Sequence, residues 1–137
     1  MKKTFAWLFI LAMGCQPPEQ SLVEPVLLFQ TWHKTTGSTN GQPTTYRLVV
    51  EFSRDGELLY GTGKTKTGGS CCSPSSFRSD AEQIEFFFAT PDPPYCIRVD
   101  CALSDLTVGV VWRIKKLTAS ELIITADNQT ITFEVAP

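Results

Sequence analysis

The chain is short of the side chains that chemistry most often uses. It has one histidine and two methionines in 137 residues, and only 19% of its residues are charged. A Ser-His-Asp relay would have to take His33 as its base, and no G-x-S-x-G turn is present to display a nucleophile. Cation excess is missing too: 12 Lys plus Arg face 14 Asp plus Glu, a formal charge of -2, so the basic footprint of a nucleic-acid binder is absent. The sequence contains no C-x-x-C redox pair, no cofactor-binding motif and no internal repeat. Its longest apolar run falls well short of the roughly 20 residues needed to cross a bilayer as a helix. Asp55, Glu57, Asp80, Glu82 and Glu85 stand where solvated acids normally stand, in turns and on strand faces, and nothing sets two of them apart as a catalytic pair. The expectation is a chain that is not an enzyme and carries no metal or cofactor.

What is present begins with a leader. Lys2 and Lys3 precede an apolar run from Phe5 to Met13, which ends in Gly14 and Cys15. This is the three-part layout of an export signal. Leu11-Ala12-Met13-Gly14-Cys15 resembles a bacterial lipobox, and the resemblance implies cleavage after residue 14 and acylation of Cys15. An ordinary secretory signal cut nearby is the plainer alternative. Several acyl chains on one residue would anchor the protein without any amphipathic helix, because each buried methylene contributes about 0.8 kcal/mol. Loss of residues 1–14 removes two lysines and no acid, leaving ten basic against fourteen acidic side chains. Residues 15–27 would then comprise the lipidated N-terminus and a proline-rich tether containing Pro17, Pro18 and Pro25. The expected location is the bacterial cell envelope, at its outer membrane.

Residues 28–137 form the expected single domain. Period-two alternation dominates and helical periodicity is nearly absent, which predicts antiparallel strands with one buried face. Tyr46, Leu48, Val50 and Phe52 share one face of a strand; Arg54-Asp55-Gly56 turns the chain, and Glu57–Thr62 returns beside it. Ile84, Phe86 and Phe88 face inward on another strand, and Val110, Trp112 and Ile114 on a third. A closing hairpin has arms at Glu121–Ala126 and Thr130–Val135. With Phe29–Thr35 and Tyr95–Cys101, about eight strands result. Ser73-Pro74-Ser75-Ser76 is excluded as a further strand, because Pro74 has no N–H for a ladder. Eight short strands leave an up-and-down β-barrel or a two-sheet β-sandwich, and sequential spacing favours the barrel.

Leu28-Phe29-Gln30-Thr31-Trp32, the Phe52–Glu57 hairpin, and Trp112–Thr118 followed by Glu121-Leu122 together resemble the small lipocalin-like lipoproteins of Bacteroidetes-type bacteria. The resemblance implies a barrel with Trp32 plugging its closed end. The domain is shorter than a full lipocalin, so its cavity is expected to be small or filled by side chains.

Cys71, Cys72, Cys96 and Cys101 are an even set in a chain bound for an oxidising compartment, which predicts two disulfides. Three pairings exist. A vicinal Cys71–Cys72 bond would strain its peptide, so each of these is expected to bridge to Cys96 or Cys101, in an order the spacing leaves open. Each bridge would close a loop of about 25 to 30 residues and contribute roughly 3 kcal/mol. A four-thiolate zinc site is the competing reading, but neither adjacent cysteines nor C-x4-C matches zinc-site spacing.

Trp32, Tyr46, Tyr60, Phe86, Phe88 and Trp112 are the candidate walls of an apolar pocket, or simply core. Phe87 points away from Phe86 and Phe88 and, if exposed, would mark a contact surface. The leading expectation is a lipid-anchored barrel that binds a small apolar or amphipathic molecule. The alternative is a structural or protein-interaction module of the envelope with a filled core. A cleft joining His33 to a carboxylate and a hydroxyl would be needed to make the chain an enzyme.

Overall fold

The computed structural model describes residues 25–44, 47–65, 71–88 and 105–137. Cys15, the expected tether as far as residue 24, Tyr46, Cys96, Cys101 and the strand expected at Tyr95–Cys101 lie outside the described residues; the last tether residues, 25–27, are described and lead into a 3-10 turn. Among the described residues the chain begins with a 3-10 turn, Val26–Leu28, and continues into nine strands. These are β1 (Thr31–Thr39), β2 (Gln42–Pro43), β3 (Val49–Phe52), β4 (Leu58–Tyr60), β5 (Ser76–Ser79), β6 (Gln83–Phe87), β7 (Val111–Leu117), β8 (Glu121–Ala126) and β9 (Gln129–Val135).

Every strand pairing is antiparallel. Eight strands follow the order β4-β3-β1-β9-β8-β7-β6-β5, with β2 pairing on β1 beyond β3. The two ends of that path meet: Glu57 and Ser76 form a bridge, the Leu58 amide donates to the Ser75 carbonyl at 3.0 Å, and the Phe77 amide donates to the Gly56 carbonyl at 2.9 Å. Each barrel strand therefore neighbours those next to it in sequence, and β9 returns to β1. This is a nearly closed up-and-down barrel, not a two-sheet sandwich.

Alternation explains what faces in. Trp32, Val50, Phe52, Leu58, Ile84, Phe86, Trp112, Leu122, Ile124 and Phe133 are fully or almost fully buried, and each is flanked along its strand by a more exposed neighbour. Full burial of one such side chain is worth about 1.5–3 kcal/mol, so these positions dominate stability. Phe52 is the hub of an aromatic cluster, 5.0 Å edge-on from Phe77 and 6.1 Å from Phe86, which in turn lies 6.3 Å from Trp112.

The two ends of the barrel differ. At one end the connections are tight and each is built on a side-chain acceptor. The Ser53 Oγ accepts from the Glu57 amide, Asp80 Oδ1 from the Glu82 and Gln83 amides, and Thr118 Oγ1 from the Ser120 and Glu121 amides. The 3-10 turn seals this end with the buried Leu28, whose carbonyl accepts the Trp32 indole N–H at 2.9 Å. The opposite end carries the long connections β4–β5 and β6–β7, together with the tight turns β1–β2 and β8–β9.

Several expectations need correction. Ser76 is not excluded from the sheet: it opens β5, since Pro74 lies outside the ladder and only Ser76–Ser79 pairs with Ile84–Phe87. β2 has no counterpart among the expected strands. The first strand starts at Thr31, not Phe29, because the chain from Pro25 to Gln30 is folded across the barrel end by amide bonds within the 3-10 turn. The seventh strand starts at Val111, since Gly109 takes a positive φ of 75°. Phe88 lies one residue past the end of β6, where β5 offers no further partner, and it is only half-buried. Phe87 is half-buried too, with the Arg78 guanidinium 5.4 Å from its ring centroid, so it is not an open contact surface.

Candidate functional site

Of the six aromatic candidates, four are placed together in the interior: Trp32, Tyr60, Phe86 and Trp112 all belong to one buried cluster. Tyr60 donates its hydroxyl proton to the buried Pro74 carbonyl at 2.6 Å, and burial pushes its pKa well above the ordinary tyrosine value. The Trp112 indole N–H points to the Thr107 carbonyl at 3.4 Å. These rings share one cluster with Val50, Leu58, Ile84, Leu122, Ile124 and Ile131, so among the described residues they act as filling. Phe88 belongs neither to this cluster nor to the partly buried hydrophobic side chains packed against it.

The interior holds one feature the aromatic list does not contain. Lys34 follows Trp32 on the inward face of β1, and its side chain is only 1% exposed. Its Nζ lies 2.5 Å from Asp105 Oδ1, whose side chain is 17% exposed on the connection that leads into β7. Two local features make room for it. A bulge between Lys34 and Thr36 shifts the pairing of β1 on β9. Gly37 then faces inward above it, where an added Cβ would stand 2.9 Å from Lys34 Cε and 2.5 Å from Thr44 Oγ1. A buried ammonium is tolerated only with a close, hydrogen-bonded counter-charge, and Asp105 supplies it. The alternation that turns Trp32 inward also turns Lys34 inward, which is a sequence signal. Its partner, 71 positions away, carries none.

Two open clefts lie near this end of β1. The larger, about 540 Å³, is lined by His33, Lys34, Thr35, Thr36, Thr44 and Arg47 among others. It joins the imidazole to hydroxyls and cations, but none of the described residues lining it is a carboxylate. The smaller, about 260 Å³, is lined by Thr39, Thr107, Val110, Ala126 and Gln129 with the β8–β9 turn. Both open to the surface and neither is an enclosed cavity.

Cys71 and Cys72 are both disulfide-bonded. They lie on the β4–β5 connection, at the end opposite the 3-10 turn. Among the described residues no group of three or more His, Cys, Asp or Glu has the arrangement to hold a metal ion. Elsewhere, Glu51 accepts from Lys64 at 2.7 Å and from Thr31 at 3.0 Å, and the Lys64 ammonium beside it holds its carboxyl below the usual carboxylate range. Comparison of the chain with protein families, with curated proteins and with solved structures finds no match.

Proposed function

We propose that the protein is a non-catalytic module of the bacterial cell envelope, held to the membrane through an acylated Cys15, whose barrel is a filled, rigid support for the connections at its open end. The observation that carries this reading is the interior packing. Trp32, Trp112, Phe52, Phe86 and Phe133 meet with less than 2% exposure, occupying the volume in which a lipocalin-like carrier would hold its ligand. Such a barrel offers function through its surface, where the connections that carry Cys71 and Cys72 and that carry Asp105 both leave their strands at the open end.

A second reading retains a carrier for a small amphipathic molecule, bound at the open end rather than within the core. It is favoured by the 260 Å³ cleft, whose lining combines the methyl groups of Val110 and Ala126 with the polar ends of Thr39, Thr107 and Gln129.

Native mass spectrometry of the oxidised chain, alone and after exposure to fatty acids and phospholipids, separates the two. With the leader removed, Trp32 and Trp112 are the only tryptophans, and both are buried. The module is expected to fly as a bare chain, with tryptophan emission unaltered by lipid and resistant to acrylamide. A stoichiometric lipid adduct that changes the emission would overturn the filled-core reading in favour of the carrier.

A further inference from the structure

Exposed apolar side chains are unevenly placed on this barrel. Among the described residues the exposed large hydrophobics are Val26, Leu27, Val111 and Val135. Three of the four lie at the end sealed by the 3-10 turn. Val26 and Leu27, 61% and 46% exposed, occupy the outer side of that turn while Leu28 goes inward. Val135, 39% exposed, stands on the rim of the same end, paired with Trp32 and bonded through its amide to the Ser120 carbonyl. Nothing in the core needs Val26 or Leu27 to be apolar, since Leu28 already closes the barrel.

We infer that this sealed end rests on a lipid surface, with Val26, Leu27 and Val135 set into the boundary between headgroups and acyl chains. The inference builds on acylation of Cys15. Ten peptide units separate Cys15 from Pro25 and can span at most about 36 Å. The chain enters the domain at the sealed end, so the shortest path from bilayer to barrel delivers that end first. Turning the barrel over would oblige the same ten units to climb its full height, about 20–25 Å for a nine-residue strand tilted as barrel strands are. It would also leave the three apolar side chains in water. In the inferred pose the open end, with its long connections, faces away from the membrane.

The contact is apolar, because this end carries both signs of charge: Arg54, stacked 5.4 Å from the Phe29 ring centroid, is followed by Asp55. It should therefore persist on zwitterionic lipid and in high salt. The test uses the full acylated chain in phosphatidylcholine vesicles, with a photo-reactive diazirine side chain placed either at position 27 or at position 128 on the opposite end. Illumination should attach phospholipid at position 27 at least tenfold more than at position 128, at low and high salt alike. Equal or reversed labelling, on a chain whose intact mass shows the acyl groups on Cys15, overturns the orientation and leaves the anchor standing. A mass without acyl groups overturns the anchor, and the orientation with it.

Discussion

Lys34 and Asp105 are an unequal pair, and the inequality makes a sharp prediction. Lys34 is 1% exposed and Asp105 17%, so only the carboxylate can recover water when its partner is removed. Asp105→Asn strands an ammonium in the interior and should lower stability by about 3–5 kcal/mol. Lys34→Met fills the same space without a charge and should cost less than about 1.5 kcal/mol, in keeping with volume-conserving core replacements. Urea titrations of the two variants check the order; a larger loss in Lys34→Met would refute the account. Tyr60 bears on alkaline stability. Its hydroxyl ionises near pH 10 in the unfolded chain and only higher in the barrel, because burial disfavours the phenolate. Below pH 10 both states keep the proton and the contribution is complete. As pH rises through 10 the unfolded state releases its proton first, and stability falls by up to about 1.4 kcal/mol per pH unit. Tyr60→Phe should cost about 1–2 kcal/mol at neutral pH, since it leaves the buried Pro74 carbonyl without its donor. It should also flatten the decline above pH 10, as seen in chemical unfolding at a series of pH values.

Turns decide which elements the sequence discloses. The Arg54-Asp55-Gly56 turn is legible because Gly56 must take a φ of 81°, and it does. The β1–β2 hairpin has an equally strong mark in Asn40-Gly41, where both residues have positive φ, 52° and 74°. That pair is a preferred two-residue hairpin turn, yet β2 is only two residues long and Pro43 masks it as a strand. β5 is hidden for a different reason. Ser76-Phe77-Arg78-Ser79 has one apolar residue, and its place in the sheet comes from its neighbours β6 and Glu57, not from its own pattern. Gly56 is where these facts meet. A Cβ there would approach the Phe77 carbonyl to 3.2 Å, and the backbone is in the left-handed region. Gly56→Ala should therefore cost about 1–3 kcal/mol through backbone strain, and it should loosen the β4–β5 seam in particular. Hydrogen exchange checks this: the amides of Leu58 and Phe77, which cross the seam, should lose more protection than those of β8 and β9.

At the scale of the whole molecule, the barrel was legible as a count of alternating runs with short spacings, and the choice over a sandwich followed from their order. The closure itself was not, because it depends on one bridge between residues whose local sequence favours turns. Much the same holds for the interior. Trp32, Phe86 and Trp112 could be assigned to one face each from alternation, but whether these aromatic faces enclose space or consume it is a question of packing in three dimensions. The answer here is that they consume it. The partner of Lys34 depends on the same long-range geometry, so the charged part of the interior was the least legible of all. One further consequence lies in the seam between β1 and β9. Trp32 pairs with Val135, so the first strand finds its permanent neighbour only among the last residues of the chain. A ribosome or translocation pore that releases this polypeptide from its N-terminus delivers β1 with one edge open and keeps it so until the final strand emerges. Closure of this seam must wait for β9, a delay inherent in topologies of high contact order. Were the chain to cross a membrane before it folds, as proposed above, that delay would work in its favour.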